Sequence, residues 1–360
     1  MKKLRTKFYP VYIGEDILGS FKFGQYDASA FVIITDANVQ GIAGEKLKSN
    51  PSLKHVPIFE LSLPAGENSK TLAKAEKILR FLAQHNVDRD AVILAFGGGV
   101  VGDLAGFVAS VYKRGVDYIQ IPTTLLAQID SSHGGKTGLN LVEGKNLVGT
   151  TYFPLAVIAD TSLLESLPEE QIASGLAEAI KYGMIWDSRL FKYLEKNMGK
   201  FTPAVYKKLV VTSSVTKTKI SQKDPEEKEF RKILNYGHTV GHALEVSSGH
   251  ELNHGQAVAL GMVTEAHISH MLGYLKEKDL LRQNDLIKKL KTTYNEDLDF
   301  DELIGLMRRD KKSKNGKLYF VLPNRVGNFR NKRGKVAFEV KESIVRQALK
   351  QLQNFLGEQV

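Results

Sequence analysis

Apolar and polar positions along the first half of the chain follow a repeating rhythm. Phe31–Asp36 is a β-branched apolar run that ends in polar residues, Val56 to Leu63 is a second strand-like segment, and Ala91–Phe96 is a third. A helix running to Leu47 separates the first two. Between the second and third, Leu72, Ala75, Ile78, Leu79 and Leu82 recur at helical spacing within Ser69 to Gln84, with Ser69 as the expected N-cap. A helix over Val100–Val111 and strands over Tyr118–Ile121 and Ala156–Ala159 follow. Strands alternating with helices predict an α/β fold: a doubly wound, mainly parallel, Rossmann-like sheet with its ligand at the C-terminal ends of the strands. From Pro168 onward long helical patterns take over, at Glu170–Met184, Ser188–Lys196, Pro203–Gln222, Arg231–Val246 and Gly255–Leu272. A hairpin of Leu318–Leu322 with Val336–Val340 and a closing helix complete the chain. The shift places a boundary near Asp160–Pro168, giving an α/β domain over 1–165 and a mostly α-helical domain over 166–360.

Composition narrows the chemistry. The 360 residues are 42% hydrophobic and 25% charged, which describes an ordinary globular protein large enough for two domains. With no cysteine, disulfides and thiolate chemistry are excluded, and a metal must sit on His, Asp, Glu or water. No apolar run approaches the roughly 18 residues of a membrane span, and no apolar stretch follows the basic N-terminus, so an untargeted, cytoplasmic protein is expected. The net charge of +10 is spread along the chain, with clusters only at Lys311–Lys317 and Arg330–Lys335. No nucleic-acid-binding signature accompanies it, and a cleft for an anionic small substrate accounts for it better than nucleic acid or a membrane does.

The break after Phe96 is rich in glycine: Gly97, Gly99 and Gly102 have the G-x-G-x-x-G spacing of dinucleotide-binding turns. It follows the third strand of the pattern rather than the first, and no acidic residue stands about 20 positions later on a second strand. Contacts to an adenosine must then come from elsewhere, and Asp36, Asn38, Glu67 and Lys70 lie just past earlier strands. Gly134-Gly-Lys-Thr137 resembles the end of a P-loop, but the glycine that motif needs at position 130 is Asp130. What remains is a polar run, Asp130-Ser-Ser-His-Gly-Gly-Lys-Thr137, close to Lys145-Asn146 and suited to a loop that wraps an anion. In the second half Glu178, His238 and His254 offer the carboxylate and imidazoles of a zinc-type ligand set. Spacing alone pairs His238 with His242, which share a helix face. Lys181, Lys217, Arg231, Lys311 and Lys312 surround these positions in sequence.

The full series resembles the 3-dehydroquinate synthase family. It comprises Gly97-Gly-Gly-Val-Val-Gly-Asp103, Pro122-Thr-Thr-Leu-Leu-Ala-Gln-Ile-Asp130, Gly134-Gly-Lys-Thr-Gly138, Gly144-Lys-Asn146, Gly175-Leu-Ala-Glu-Ala-Ile-Lys181, Leu234-Asn-Tyr-Gly-His238 and Asp310-Lys-Lys312. The resemblance implies a cytoplasmic homodimer that uses NAD and a divalent metal, zinc or cobalt. Its reaction converts 3-deoxy-arabino-heptulosonate 7-phosphate to 3-dehydroquinate and phosphate in the shikimate pathway. It implies Glu178, His238 and His254 as metal ligands, leaving His242 unligated beside the substrate. NAD would be contacted by Asp36, Asn38, Glu67, Lys70, Gly99, Val100, Val101, Gly102, Asp103, Thr123, Thr124, Asp130 and Lys145. Substrate would be held by Lys136, Asn146, Lys181, Lys217, Arg231, Asn235 and Lys311 or Lys312. Arg114 matches an arginine that reaches the partner subunit's active site.

The implied chemistry explains why these groups occur together. A hydroxyl must be oxidised before the neighbouring C–H is acidic enough for phosphate to leave. The metal favours that oxidation by lowering the hydroxyl pKa, and the cations bind the departing phosphate. Two positions depart from the family pattern: His133, where a small apolar residue is usual, and Gln256, where an acid is common and whose neutrality would weaken the orientation of His254. Competing readings are another sugar-phosphate cyclase, acting on glucose 6-phosphate or sedoheptulose 7-phosphate, a metal-dependent alcohol dehydrogenase of related fold, and a basic nucleic-acid-binding protein.

Overall fold

The structure is a computed structural model and describes residues 1–249, 251–292, 294, 297–309 and 316–358. Two compact units are present. One comprises Met1–Leu167 with Tyr206–Thr218, the other Pro168–Val205 with Lys219–Val360.

The first unit is built on nine strands: β1 (Lys2–Arg5), β2 (Pro10–Gly14), β3 (Phe31–Asp36), β4 (Ile58–Leu63), β5 (Val92–Gly97), β6 (Asp117–Pro122), β7 (Lys136–Leu141), β8 (Gly144–Thr151) and β9 (Ala156–Asp160). Seven form one sheet in the order β1-β2-β9-β6-β5-β3-β4, parallel throughout except for β1. Both faces of this sheet are covered, which is why its central strands read as continuous apolar runs rather than alternating ones. Val32 and Ile34 of β3 turn one way, onto α2 (Leu72–Gln84) and α3 (Gly99–Val111), while Phe31 and Ile33 turn the other way, onto α1 (Gln40–Lys48).

The strand order reverses between β3 and β5. The chain runs outward from β3 to β4, then returns to β5 on the other side. The glycine turn leaves β5, so it lies at the switch point where doubly wound sheets bind ligands. Its rank along the sequence concealed this, because β4 lies at the far edge of the sheet and the third strand of the pattern, β5, returns beside the first, β3.

Other expectations need correction. Thr71, not Ser69, caps α2: its hydroxyl oxygen accepts from Lys74 N–H, whereas the Ser69 hydroxyl donates to the Pro64 carbonyl at 2.6 Å. The Asp130–Thr137 segment is not a loop throughout, since it begins in a π-helical turn over Ala127–Ser131 and ends in β7, which pairs with β8.

The second unit is mainly helical: α4 (Glu169–Ile185), α5 (Ser188–Asn197), α7 (His238–Ser247), α8 (His254–Met271), α9 (Glu277–Lys288), α10 (Phe300–Arg309) and α11 (Glu342–Gly357). The intervening α6 (Pro203–Lys223) contributes its middle to the first unit. The C-terminal hairpin is β10 (Tyr319–Val321) against β13 (Ala337–Glu339), and β11 (Pro323–Arg325) with β12 (Asn328–Phe329) is nested inside it in sequence. The helix expected over Arg231–Val246 is broken. A 3-10 segment, Phe230–Asn235, gives way to Gly237, whose φ of +79° is a conformation that favours glycine, and α7 starts afresh at His238. That break places His238 at a helix start rather than in mid-helix.

Candidate nucleotide and metal sites

In the first unit, all of the residues implied to bind NAD except Lys145 lie at or past the C-terminal ends of the parallel strands. Asp36 ends β3 and accepts from Asn38 N–H at 2.9 Å, and burial pushes its carboxyl above the usual range. Thr123, buried just past β6, donates its N–H to the Gly97 carbonyl at 3.0 Å, while the Thr124 hydroxyl accepts from Ala127 N–H. None of Gly97, Gly98, Gly99 and Gly102 uses a positive φ. What they supply is room. A Cβ on Gly97 would sit 2.6 Å from Val101 Cβ, and one on Gly102 would sit 2.6 Å from Gln120 Oε1. The first turn of α3, Gly99 to Gly102 with Asp103 next, therefore lies hard against β5 and β6. No side chain caps its N-terminus at Gly98, so free N–H groups of Gly99, Val100 and Val101 are available to an anion such as a pyrophosphate.

Lys70 is buried and bridges two candidates, with its Nζ 2.6 Å from Asp103 Oδ2 and 2.5 Å from Asn146 Oδ1. Asn140, which sequence reasoning missed, holds this network. Its side chain donates to Glu67 and accepts from Asn146 N–H, and its own N–H meets the Lys70 carbonyl. Asn146 takes a left-handed backbone with φ of +56°. Lys217 belongs to this unit and pairs with Asp130 at 2.6 Å. One helical turn earlier, Ser214 Oγ is 3.1 Å from His133 Nε2, whose other partner is the Gln128 carbonyl at 2.9 Å. His133 is thus a buried brace between the polar segment and α6, and burial lowers its pKa to about 4. Lys136 and Lys145 lie at the starts of β7 and β8, and Arg114 is exposed in a left-handed turn after α3.

The second unit brings Glu178, His238 and His254 together. Glu178, from the middle of α4, is fully buried, and its Oε1 lies 3.6 Å from His238 Nε2 and 3.5 Å from His254 Nε2. Buried Lys181, one turn on, pairs with the other carboxylate oxygen. His238 Nδ1 faces the Tyr236 carbonyl at 3.1 Å, so that nitrogen carries the proton and Nε2 keeps its lone pair. His254 Nδ1 faces Glu245 Oε1 at 3.3 Å. Burial alone would lower the pKa of His254, but its bonds to Glu178 and Glu245 outweigh this and raise it to about 9. A tetrahedral ion about 2.1 Å from each ligand separates the ligands by about 3.4 Å. The observed spacings therefore fit a divalent metal, held by Glu178, His238 and His254.

Glycines again set the approach. A Cβ on Gly255, next to His254, would overlap the backbone of Ser174, one turn before Glu178 on α4. A Cβ on Gly261 would overlap the Gly237 carbonyl oxygen and lie 2.8 Å from Gly241 N, so α8 packs directly on the backbone that starts α7. His242, the i+4 partner that spacing chose, lies with its ring 5.5 Å from that of His238 and 6.3 Å from that of His254. It forms a second cluster with Glu245 and His254. Gln256 is engaged at the start of α8. Its side chain accepts from Asn253 N–H while the Asn253 side chain accepts from Gln256 N–H, a capping box that a neutral amide completes. Arg231 is buried, donating to the Pro225 carbonyl at 3.0 Å, and Asn235 donates to Glu227 at 3.2 Å. Lys311 and Lys312 lie outside the described residues.

Known proteins share this fold. A crystal structure of 2-deoxy-scyllo-inosose synthase complexed with carbaglucose-6-phosphate, NAD+ and Co2+ is similar at a TM-score of 0.88 and 26% identity, covering 97% of this chain and 99% of that one. A 2-epi-5-epi-valiolone synthase from Streptomyces hygroscopicus, solved with NAD+ and Zn2+, is similar at a TM-score of 0.88 and 26% identity over 98% and 99%. The fold is that of the sugar-phosphate cyclases. Within that class, models of the 3-dehydroquinate synthase N-terminal and C-terminal regions match residues 60–174 and 175–313. The 3-dehydroquinate synthase of Dictyoglomus thermophilum is 43% identical over 331 residues, covering 90% of this chain and 91% of that protein. The chain belongs to the 3-dehydroquinate synthase family.

Proposed function

We propose that this enzyme converts 3-deoxy-arabino-heptulosonate 7-phosphate to 3-dehydroquinate and phosphate, with NAD and a divalent metal as cofactors. The observation that carries the reading is the convergence of Glu178 Oε1 with the Nε2 atoms of His238 and His254 at the spacing of a metal's ligands, in a chain of this family. The bound metal and NAD would supply polarisation of a substrate hydroxyl and reversible hydride acceptance. The chain's own residues do the rest. Gly99 to Gly102 and Asp103, with Asp36, Asn38, Glu67, Lys70, Thr123, Thr124, Asp130 and Lys145, bind NAD in the first unit. Lys136, Asn146, Lys181, Lys217, Arg231, Asn235 and Lys311 or Lys312 neutralise and orient a substrate bearing carboxylate and phosphate, a task for cations and amide donors. His242 stands beside the metal ligands, where it contacts substrate rather than metal. The protein acts in the cytoplasm as a homodimer in which the exposed Arg114 reaches the second copy's site. Among the described residues no helix is long and apolar enough to cross a membrane.

Phosphate release from 3-deoxy-arabino-heptulosonate 7-phosphate, glucose 6-phosphate and sedoheptulose 7-phosphate, each with NAD and zinc or cobalt, tests the reading. Release from the heptulosonate alone, without accumulation of NADH, is expected. Release from either other sugar phosphate in its place would reassign the substrate. NADH formed in proportion to substrate would instead identify a dehydrogenase.

A further inference from the structure

Both imidazoles of the cluster are first residues of helices, His238 of α7 and His254 of α8. Each helix start is met by a buried carboxylate from the other helix. Glu265, from the interior of α8 and fully buried, accepts from Gly237 N–H at 2.9 Å through Oε2 and from Thr239 N–H at 3.2 Å through Oε1. It thereby fixes the residues on either side of His238. Glu245, from the last turns of α7 and 4% exposed, faces His254 Nδ1 at 3.3 Å. Burying a carboxylate is costly unless it is closely partnered.

We infer that Glu245 and Glu265 are positioning residues that preorganise the two imidazoles for a divalent cation, each acting from the opposite helix. Glu245 holds the proton of His254 on Nδ1, so that the Nε2 lone pair points where Nε2 of His238 also points. Glu265 satisfies the free N–H groups at the start of α7 and so fixes the direction in which His238 leaves the helix. Carboxylates that receive the second N–H of a ligating histidine fix its tautomer and raise its basicity. The inference rests on the metal reading above. It adds that cation affinity is set by two side chains outside the ligand set.

The test is zinc affinity of the metal-stripped full chain, measured by chelator competition, with nitrogen-15 shifts of His254, taken at a pH where its imidazole is neutral, reporting its tautomer and urea melts of the metal-free protein reporting fold. Glu245→Leu, which removes the acceptor, should weaken zinc binding about 10–100-fold and release the fixed tautomer. Glu245→Gln, whose amide oxygen still accepts from Nδ1–H, should keep the tautomer and lose several-fold in affinity. Glu265→Gln should weaken zinc binding about tenfold without altering the His254 tautomer. Glu178→Gln serves as the control on the site itself. If Glu178→Gln weakens zinc binding while all three positioning variants bind within twofold of the wild type, the inference fails and the metal reading stands. If Glu178→Gln binds as tightly as the wild type, the metal reading fails with it. Should Glu245→Leu not fold, wild-type affinity in the isosteric Glu245→Gln overturns the role of Glu245.

Discussion

Gly261→Ala tests how the backbone of two helices governs the ligand set. The added Cβ would overlap the Gly237 carbonyl oxygen and stand 2.8 Å from Gly241 N, both main-chain atoms that no rotamer change can move. Reaching ordinary van der Waals separation, about 3.5 Å, requires α8 and the start of α7 to part by about 1.5 Å. Overpacking of this kind costs about 1–3 kcal/mol. The functional effect should be larger than the loss of stability, because metal ligands tolerate displacements of only about 0.2 Å. Gly237 adjoins His238, so the parting moves that imidazole relative to Glu178 on α4. Metal affinity should fall by more than tenfold in protein that is still folded at room temperature. Gly305→Ala, in α10 with nothing within 4 Å of the new Cβ, makes the same chemical change in open space. It should stabilise by about 0.5–1 kcal/mol through helix propensity and leave metal binding unchanged. Urea melts of the metal-free proteins and chelator competition measure both quantities. Wild-type metal affinity in Gly261→Ala would refute the argument that glycine contact sets the site.

His133 supplies a pH signature. Burial holds its folded-state pKa near 4, below the unfolded value of 6.5, so the unfolded chain takes up the proton first as pH falls. Stability should therefore decline between about pH 6.5 and pH 4, by about 3 kcal/mol in all, and level off below. Lys217 and Asp130 face the same ring and partly oppose one another. His133→Gln should remove that part of the slope, and a difference between mutant and wild type that does not vary over this range would rule the assignment out. Gly97→Ala should lower NAD affinity and stability together, since its Cβ would press on the rigid Val101 Cβ and lift the first turn of α3 from β5. Isothermal titration with NAD decides this, and unaltered affinity would mean that close packing at the turn does not shape the nucleotide site.

The α/β rhythm was legible from the chain because parallel strands covered on both faces are continuous apolar runs. Phe31–Asp36 and Ala91–Phe96 stand out in any reading of the sequence for this reason. Edge strand β1 and β8 of the β7–β8 hairpin, largely exposed and polar, carry no such mark. Residue types at the sites were equally visible, from the glycines at 97–102 to Glu178, His238 and His254. What these residues do to one another was not. The glycine turn looked misplaced by its rank in the sequence, and only the strand order put it at the reversal between β3 and β5. Helical spacing offered His242 to His238, because a single helix defines only neighbours on its own face. The residues set against His238 instead come from α4 and α8, 60 and 16 positions away, brought close by glycines whose missing Cβ atoms are informative only once the opposing backbone is in place. Glu245 could have been noticed, since 238, 242 and 245 share a helix face. Glu265 could not, because its work is to receive two backbone N–H groups from another helix, a relation that leaves no local trace in sequence.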